Sequence, residues 1–161
     1  MTLLDVRFPT SAWNARKVRD HMVQIGASLE LEPDRLEEFV TAVGEAFANA
    51  VEHSCTDSPI RIVVKLDVRH RLHASVRDYG RGIDAAEVNR TLPSVRAERG
   101  RGIPLMRRCS SLMNVSSPRG GGTLVELRWD GDYRRVSPAR SRKAVSAAST
   151  AASVVSTSPA V

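Results

Sequence analysis

Leu3–Phe8 opens the chain with the short apolar alternation of a strand. Over Ala12–Leu29 the apolar residues Val18, Met22, Ile25 and Leu29 recur at helical spacing, which predicts an amphipathic helix. Pro33 then stands where a proline favours helix entry, with Asp34 behind it in the first turn, so a second helix starts there. Ile60–Val68 and Leu72–Arg77 read as strands flanking the polar Arg69-His70-Arg71, a hairpin connection. After the loop DYGRGID and a polar stretch to Arg99, Gly100-Arg101-Gly102 opens a third helix, Ile103–Leu112. Met113–Ser117 and Thr123–Trp129 are strands around the turn cluster SPRGGG. The order β-α-α-β-β-α-β-β predicts an α+β, two-layer sandwich, a mixed sheet with helices packed on one face.

The second helix carries the stretch EAFANAVEH. At 100° per residue, Leu36, Phe39, Val40, Val43, Phe47, Ala50 and Val51 share one face, which is a core face. Glu38, Thr41, Glu45, Asn49 and Glu52 form a stripe on the opposite face, with His53 at its edge. Such a stripe is either a solvated surface or the wall of a cleft. No Lys or Arg follows Arg35 to give the mixed-sign pairs of an exposed helix. Glu45 and Asn49 are one turn apart, and a carboxylate with an amide oxygen at that spacing suits a hard cation such as Mg²⁺ carried by a phosphate substrate.

Two glycine loops add to this. Asp78-Tyr79-Gly80-Arg81-Gly82 directly follows a strand, where an aspartate can accept from an exocyclic amine and glycines let backbone approach a flat ligand. The bland reading of the same residues is a strand-ending turn with an Asx cap. Arg99-Gly100-Arg101-Gly102-Ile103-Pro104 sets backbone N–H groups at a helix start, an anion site to which two arginines add charge, although a plain helix N-terminus has the same form. No P-loop and no signature of a eukaryotic-type kinase or a hydrolase elbow occurs.

Composition narrows the picture further. At 161 residues the chain has room for one domain with a sizeable core. Five basic residues against one acidic lie in 131–161, which leaves residues 1–130 close to neutral and removes most of the net charge of +6 from the folded part. Ala144–Val161 is uncharged and rich in Ala, Ser, Thr and Val, so a folded domain over 1–131 and a disordered tail over 132–161 are expected. With aromatics at 4% and no nucleic-acid module in the sequence, no direct nucleic-acid contact is expected. No apolar run approaches a membrane span and the N-terminus lacks a signal-peptide pattern, so a cytoplasmic protein without membrane attachment is expected. Cys55 and Cys109 form no C-x-x-C pair.

Taken in order, the motifs resemble the Bergerat-fold (GHKL, histidine-kinase-like) ATPases. Glu45-x-x-x-Asn49 looks like the N box, Asp78-x-Gly80-x-Gly82 like the first glycine box, Gly100-x-Gly102 like the second, and Gly121-Gly122-Thr123 like the third region. The phrases VGEAFANAVEHS and RGRGIPLMRRCSSLMNV are close to the pattern of the stand-alone anti-sigma-factor serine/threonine kinases of bacterial partner switching.

The resemblance implies a homodimeric protein that binds a sigma factor and uses Mg²⁺ and ATP to phosphorylate an anti-sigma-factor antagonist. It implies Asn49 on the Mg²⁺, Glu45 as the catalytic base and Asp78 on the adenine amino group. Gly80 and Gly82 would pack on the purine, Gly100 and Gly102 would bind phosphate, and the Thr123 hydroxyl would support Asp78. Arg81, Arg99 and Arg101 would contact phosphate or partner. The alternative is a non-catalytic, nucleotide-gated regulator that sequesters a sigma factor or other partner through the same residues.

Overall fold

The computed structural model describes residues 1–82 and 102–130. Its strands are β1 (Thr2–Phe8), β2 (Ile60–Leu66), β3 (Leu72–Arg77), β4 (Leu112–Ser116) and β5 (Leu124–Trp129). Its helices are α1 (Ala15–Ser28), α2 (Pro33–His53) and α3 (Gly102–Arg108). The segment expected as one helix from Ala12 divides at its start. Ser11 accepts from the Trp13 N–H and begins a 3-10 turn over Ala12–Asn14, which passes into α1 at Ala15.

The sheet order is β1-β2-β3-β5-β4. Each of its four ladders is antiparallel, so the expected mixed sheet is corrected to an antiparallel one within the α+β architecture. The reason is placement. β3 and β4 both run antiparallel to β5, and β5 lies between them, so two strands of the same sense never become neighbours.

Strand and helix ends also move for identifiable reasons. β2 stops at Leu66, two residues short of the expectation. There the Asp67 carboxylate collects the N–H groups of Arg69 and Arg71 and bends the chain into a turn. α3 stops at Arg108 instead of Leu112. The Ser110 hydroxyl bonds back to the Met106 carbonyl and the Ser111 N–H bonds to the Arg128 carbonyl, which draws the next residues onto the sheet edge.

The core lies between one sheet face and the helices. Along β2 the alternation is regular, with Ile60, Ile62, Val64 and Leu66 buried. α2 supplies Phe39, Val40, Val43, Phe47 and Ala50, as its periodicity predicts. Phe39 meets Trp129 edge-on with ring centroids 5.2 Å apart, and Phe47 meets Phe8 at 6.0 Å. Burying each such ring contributes about 3 kcal/mol. The orientation of α2 is thereby fixed, and with it the direction of its polar stripe.

Candidate functional site

The polar stripe of α2 is not uniform. Its first residue, Glu38, pairs with Arg35 at 2.9 Å, an ordinary surface contact one turn back. Glu52 at the other end is exposed. Between them Glu45 and Asn49 are half-buried, and neither side chain has a hydrogen bond or ion pair with another described residue. Gly102, the first residue of α3, sits against both. A Cβ added there would lie 3.0 Å from Asn49 Oδ1 and 3.1 Å from Glu45 Oε2. The absence of a side chain at 102 thus keeps open the space in front of the two polar groups.

Asp78, the residue after β3, is held differently. It is only 4% exposed, and its Oδ1 accepts the N–H groups of Gly80 at 2.9 Å and Thr123 at 3.1 Å. Both bonds fall on Oδ1, which leaves Oδ2 for an external donor. Thr123 supports Asp78 through its main chain, since the Asp78 N–H also donates to the Thr123 carbonyl at 3.0 Å. Both of these bonds run through the Thr123 main chain, and neither involves its hydroxyl.

The glycines around Asp78 serve backbone-to-backbone packing. A Cβ on Gly80 would come within 1.9 Å of the Ser54 carbonyl oxygen, at the C-terminal end of α2. Gly122, at φ +77°, leaves no room either, because a Cβ there would lie 2.1 Å from the Asp78 carbonyl oxygen. Gly82 adopts φ +83° beside Ser117 and Gly122. The chain from 78 to 82, the turn at 120–122 and the end of α2 are therefore locked together by positions that no side chain can occupy. Arg77 adds to the lock by donating to the Gly121 carbonyl at 2.8 Å, with its guanidinium 5.1 Å from the centre of the Tyr79 ring.

α2 thus joins two of the glycine motifs, touching Gly80 through Ser54 and Gly102 through Glu45 and Asn49. Ser54 was not among the residues singled out in the sequence, and Gly122 was named only as part of the third glycine region. The triple glycine marked a turn, but its neighbour across the fold had no local signal. The Ser54 hydroxyl is buried and has no hydrogen-bond partner among the described residues. Arg81 is exposed. Arg99, Gly100 and Arg101 lie outside the described residues, as does the segment 132–161. Among the described residues no group of three or more His, Cys, Asp or Glu could hold a metal, and no helix is long and apolar enough to cross a membrane.

A family model described as a histidine kinase-like ATPase domain matches residues 8–129. The chain belongs to this family. The family is one of ATP-binding domains, and the matched span contains Glu45, Asn49, Asp78, the glycine loops and Thr123. The chain is also similar to an anti-sigma F factor of Anoxybacillus flavithermus (strain DSM 21510 / WK1), with 29% identity over 131 residues, covering 77% of this chain and 89% of that relative. In fold it is similar to the RsbU and RsbW domains of a Mycobacterium tuberculosis protein, with a TM-score of 0.62 and 22% identity. That match covers 83% of this chain and 34% of the longer one. A second likeness, to the SiaB-SiaC complex of Pseudomonas aeruginosa, has a TM-score of 0.62 at 11% identity and covers 79% of this chain and 89% of that one.

Proposed function

We propose that this domain is a protein serine/threonine kinase acting as an anti-sigma factor, which phosphorylates an antagonist protein in bacterial partner switching. The observation that carries the reading is the meeting of Glu45, Asn49 and Gly102, a carboxylate and an amide at an open backbone step. The similarity to an anti-sigma F factor supports the biological setting.

The described residues fit Mg²⁺ and ATP. The free Oδ2 of Asp78 suits the adenine amino group, and the bonds on Oδ1 fix its direction. Asn49 Oδ1 would hold the Mg²⁺, a hard cation that takes oxygen ligands. Gly80 and Gly82 would shape the wall beside the purine, and Gly102 would present its amide to the phosphates, a role that the sequence motif also assigns to Gly100, Arg99 and Arg101. ATP held with Mg²⁺ would supply the γ-phosphoryl group, with ADP as the leaving group. Glu45 orients the antagonist hydroxyl and takes its proton as the oxygen is phosphorylated. Residues 1–131 form the working domain, and the protein acts as a cytoplasmic homodimer.

Incubation with γ-labelled ATP and an antagonist protein tests this reading. Label on an antagonist serine or threonine, lost in Glu45→Gln, is the expected result. Tight ATP binding with no transfer to any antagonist offered would replace the kinase by a nucleotide-gated binder.

A further inference from the structure

A glycine inside a helix weakens it, because its chain loses more freedom on folding than that of alanine. The fold justifies such a residue where φ is positive or where a neighbour leaves no room for a Cβ. Among the described glycines, Gly82, Gly120, Gly121 and Gly122 have positive φ. A Cβ on Gly26 would run into the Leu36 side chain, one on Gly80 into the Ser54 carbonyl, and one on Gly102 would crowd Asn49 and Glu45. Gly44 has neither reason. It lies in the middle of α2 with no positive φ, and a Cβ there would meet no described atom within 4 Å.

Its position supplies a different reason. Gly44 directly precedes Glu45, and at 100° per residue it stands on the flank of Glu45 away from Asn49. The Asn49 flank is closed by α3, whose Gly102 lies against both polar groups, and Ala42 and Ala46 are buried on that side. The Gly44 flank is open, with Thr41 half-buried and Ala48 exposed. A nucleotide held by Asn49 occupies the first flank. A hydroxyl borne on a protein brings main chain with it on both sides, and the width for that chain exists only on the second.

We propose that Gly44 positions the protein acceptor. Its missing side chain lets the segment that carries the acceptor serine or threonine cross α2 closely enough for the hydroxyl to reach Glu45. A side chain at 44 lifts that segment off the helix, and misplacing reacting atoms by about 1 Å costs on the order of a hundredfold in rate. The inference rests on Glu45 as the base of a protein kinase, and it assigns the flank on which the protein substrate lies.

The test compares full-length wild type, Gly44→Ala and Gly44→Leu, using γ-labelled ATP and the antagonist protein that the wild type labels. Gly44→Ala is expected to unfold in urea at or above the wild-type midpoint, since alanine favours the helix. In both variants ATP affinity by calorimetry, and release of labelled phosphate to water without antagonist, stay within about twofold of wild type. For the antagonist, kcat/KM falls at least about fivefold in Gly44→Ala and at least about thirtyfold in Gly44→Leu. Water needs no passage for a main chain, so the gap between the two acceptors is the signature. Equal kcat/KM in all three proteins overturns the proposal and leaves the kinase reading intact. A parallel loss of ATP binding or of phosphate release to water overturns it too, by placing the effect of residue 44 on the nucleotide or on Glu45. A lowered unfolding midpoint in Gly44→Ala contradicts it by showing that the fold needs this glycine. If the wild type labels no antagonist, the kinase reading itself fails and the proposal falls with it.

Discussion

Asp78 and Glu45 are the two carboxylates of the candidate site, and the fold holds them in opposite ways. Asp78 is buried, and two backbone N–H groups fix one of its oxygens. Glu45 stands half-buried on a helix whose direction is set by Phe39, Phe47 and their neighbours, and its carboxylate has no partner among the described residues. One group is oriented by local main chain and the other only by distant packing. Recognition and chemistry are therefore separable here. Changes to the backbone packing around Asp78 act on structure and ligand affinity together, whereas changes at Glu45 leave structure alone.

The largest effect is expected where the Asp78 side of the site depends on contact with α2. Gly80→Ala drives a methyl group into the Ser54 carbonyl, which sits 1.9 Å from the added carbon. Destabilisation of about 3 kcal/mol, read by urea unfolding, and loss of ATP binding should appear together. Wild-type stability in the Gly80→Ala variant would break the claim that backbone packing holds this half.

On the other side, Glu45→Gln keeps the shape and removes the carboxylate proposed as the base. Phosphotransfer should fall by about two to four orders of magnitude, while the unfolding free energy stays within about 1 kcal/mol of wild type. A stability loss as large as that of Gly80→Ala would erase the contrast between the two carboxylates.

A third carboxylate sharpens the comparison at the smallest scale. Asp67 closes the β2–β3 turn, and the Arg71 N–H, helped by the Arg71 and His73 side chains and the Arg69 N–H, holds its carboxyl well below the usual range. A depressed folded value means that its stabilisation is present above about pH 4 and lost as the pH falls toward that value. Asp67→Asn should therefore be less stable than wild type at neutral pH, and the gap should narrow in acid. Urea unfolding near pH 7 and near pH 2 measures this, and a gap that widens in acid would contradict it.

Much of this was legible in the chain because the signals were local. The helical spacing of Phe39, Val43, Phe47 and Ala50 named the buried face of α2, and so placed Glu45 and Asn49 on the other. The Asp-x-Gly-x-Gly motif marked the loop after β3. Contacts between distant segments were not legible. Nothing near Gly80 indicates that it must clear Ser54, and nothing near Thr123 indicates that its amide, in place of its hydroxyl, meets Asp78. The sheet's direction failed for the same reason. Strand sense follows from which strand lies between which, and the insertion of β5 between β3 and β4 leaves no mark in either sequence. The meeting of Arg7, Arg61 and Arg77 was hidden too, since they become neighbours only through register.

Calorimetric titration of Mg²⁺ and ATP into wild type, Asp78→Asn and Glu45→Gln tests the central claim most directly. In Asp78→Asn the remaining side-chain oxygen still accepts the Gly80 and Thr123 amides, but the new NH₂ presents a donor to the adenine amino group. Its affinity should fall about 10- to 100-fold with little change in unfolding midpoint, while Glu45→Gln stays within about threefold of wild type. Equal affinity for wild type and Asp78→Asn would contradict the assignment of Asp78 and, with it, the placement of ATP in this site.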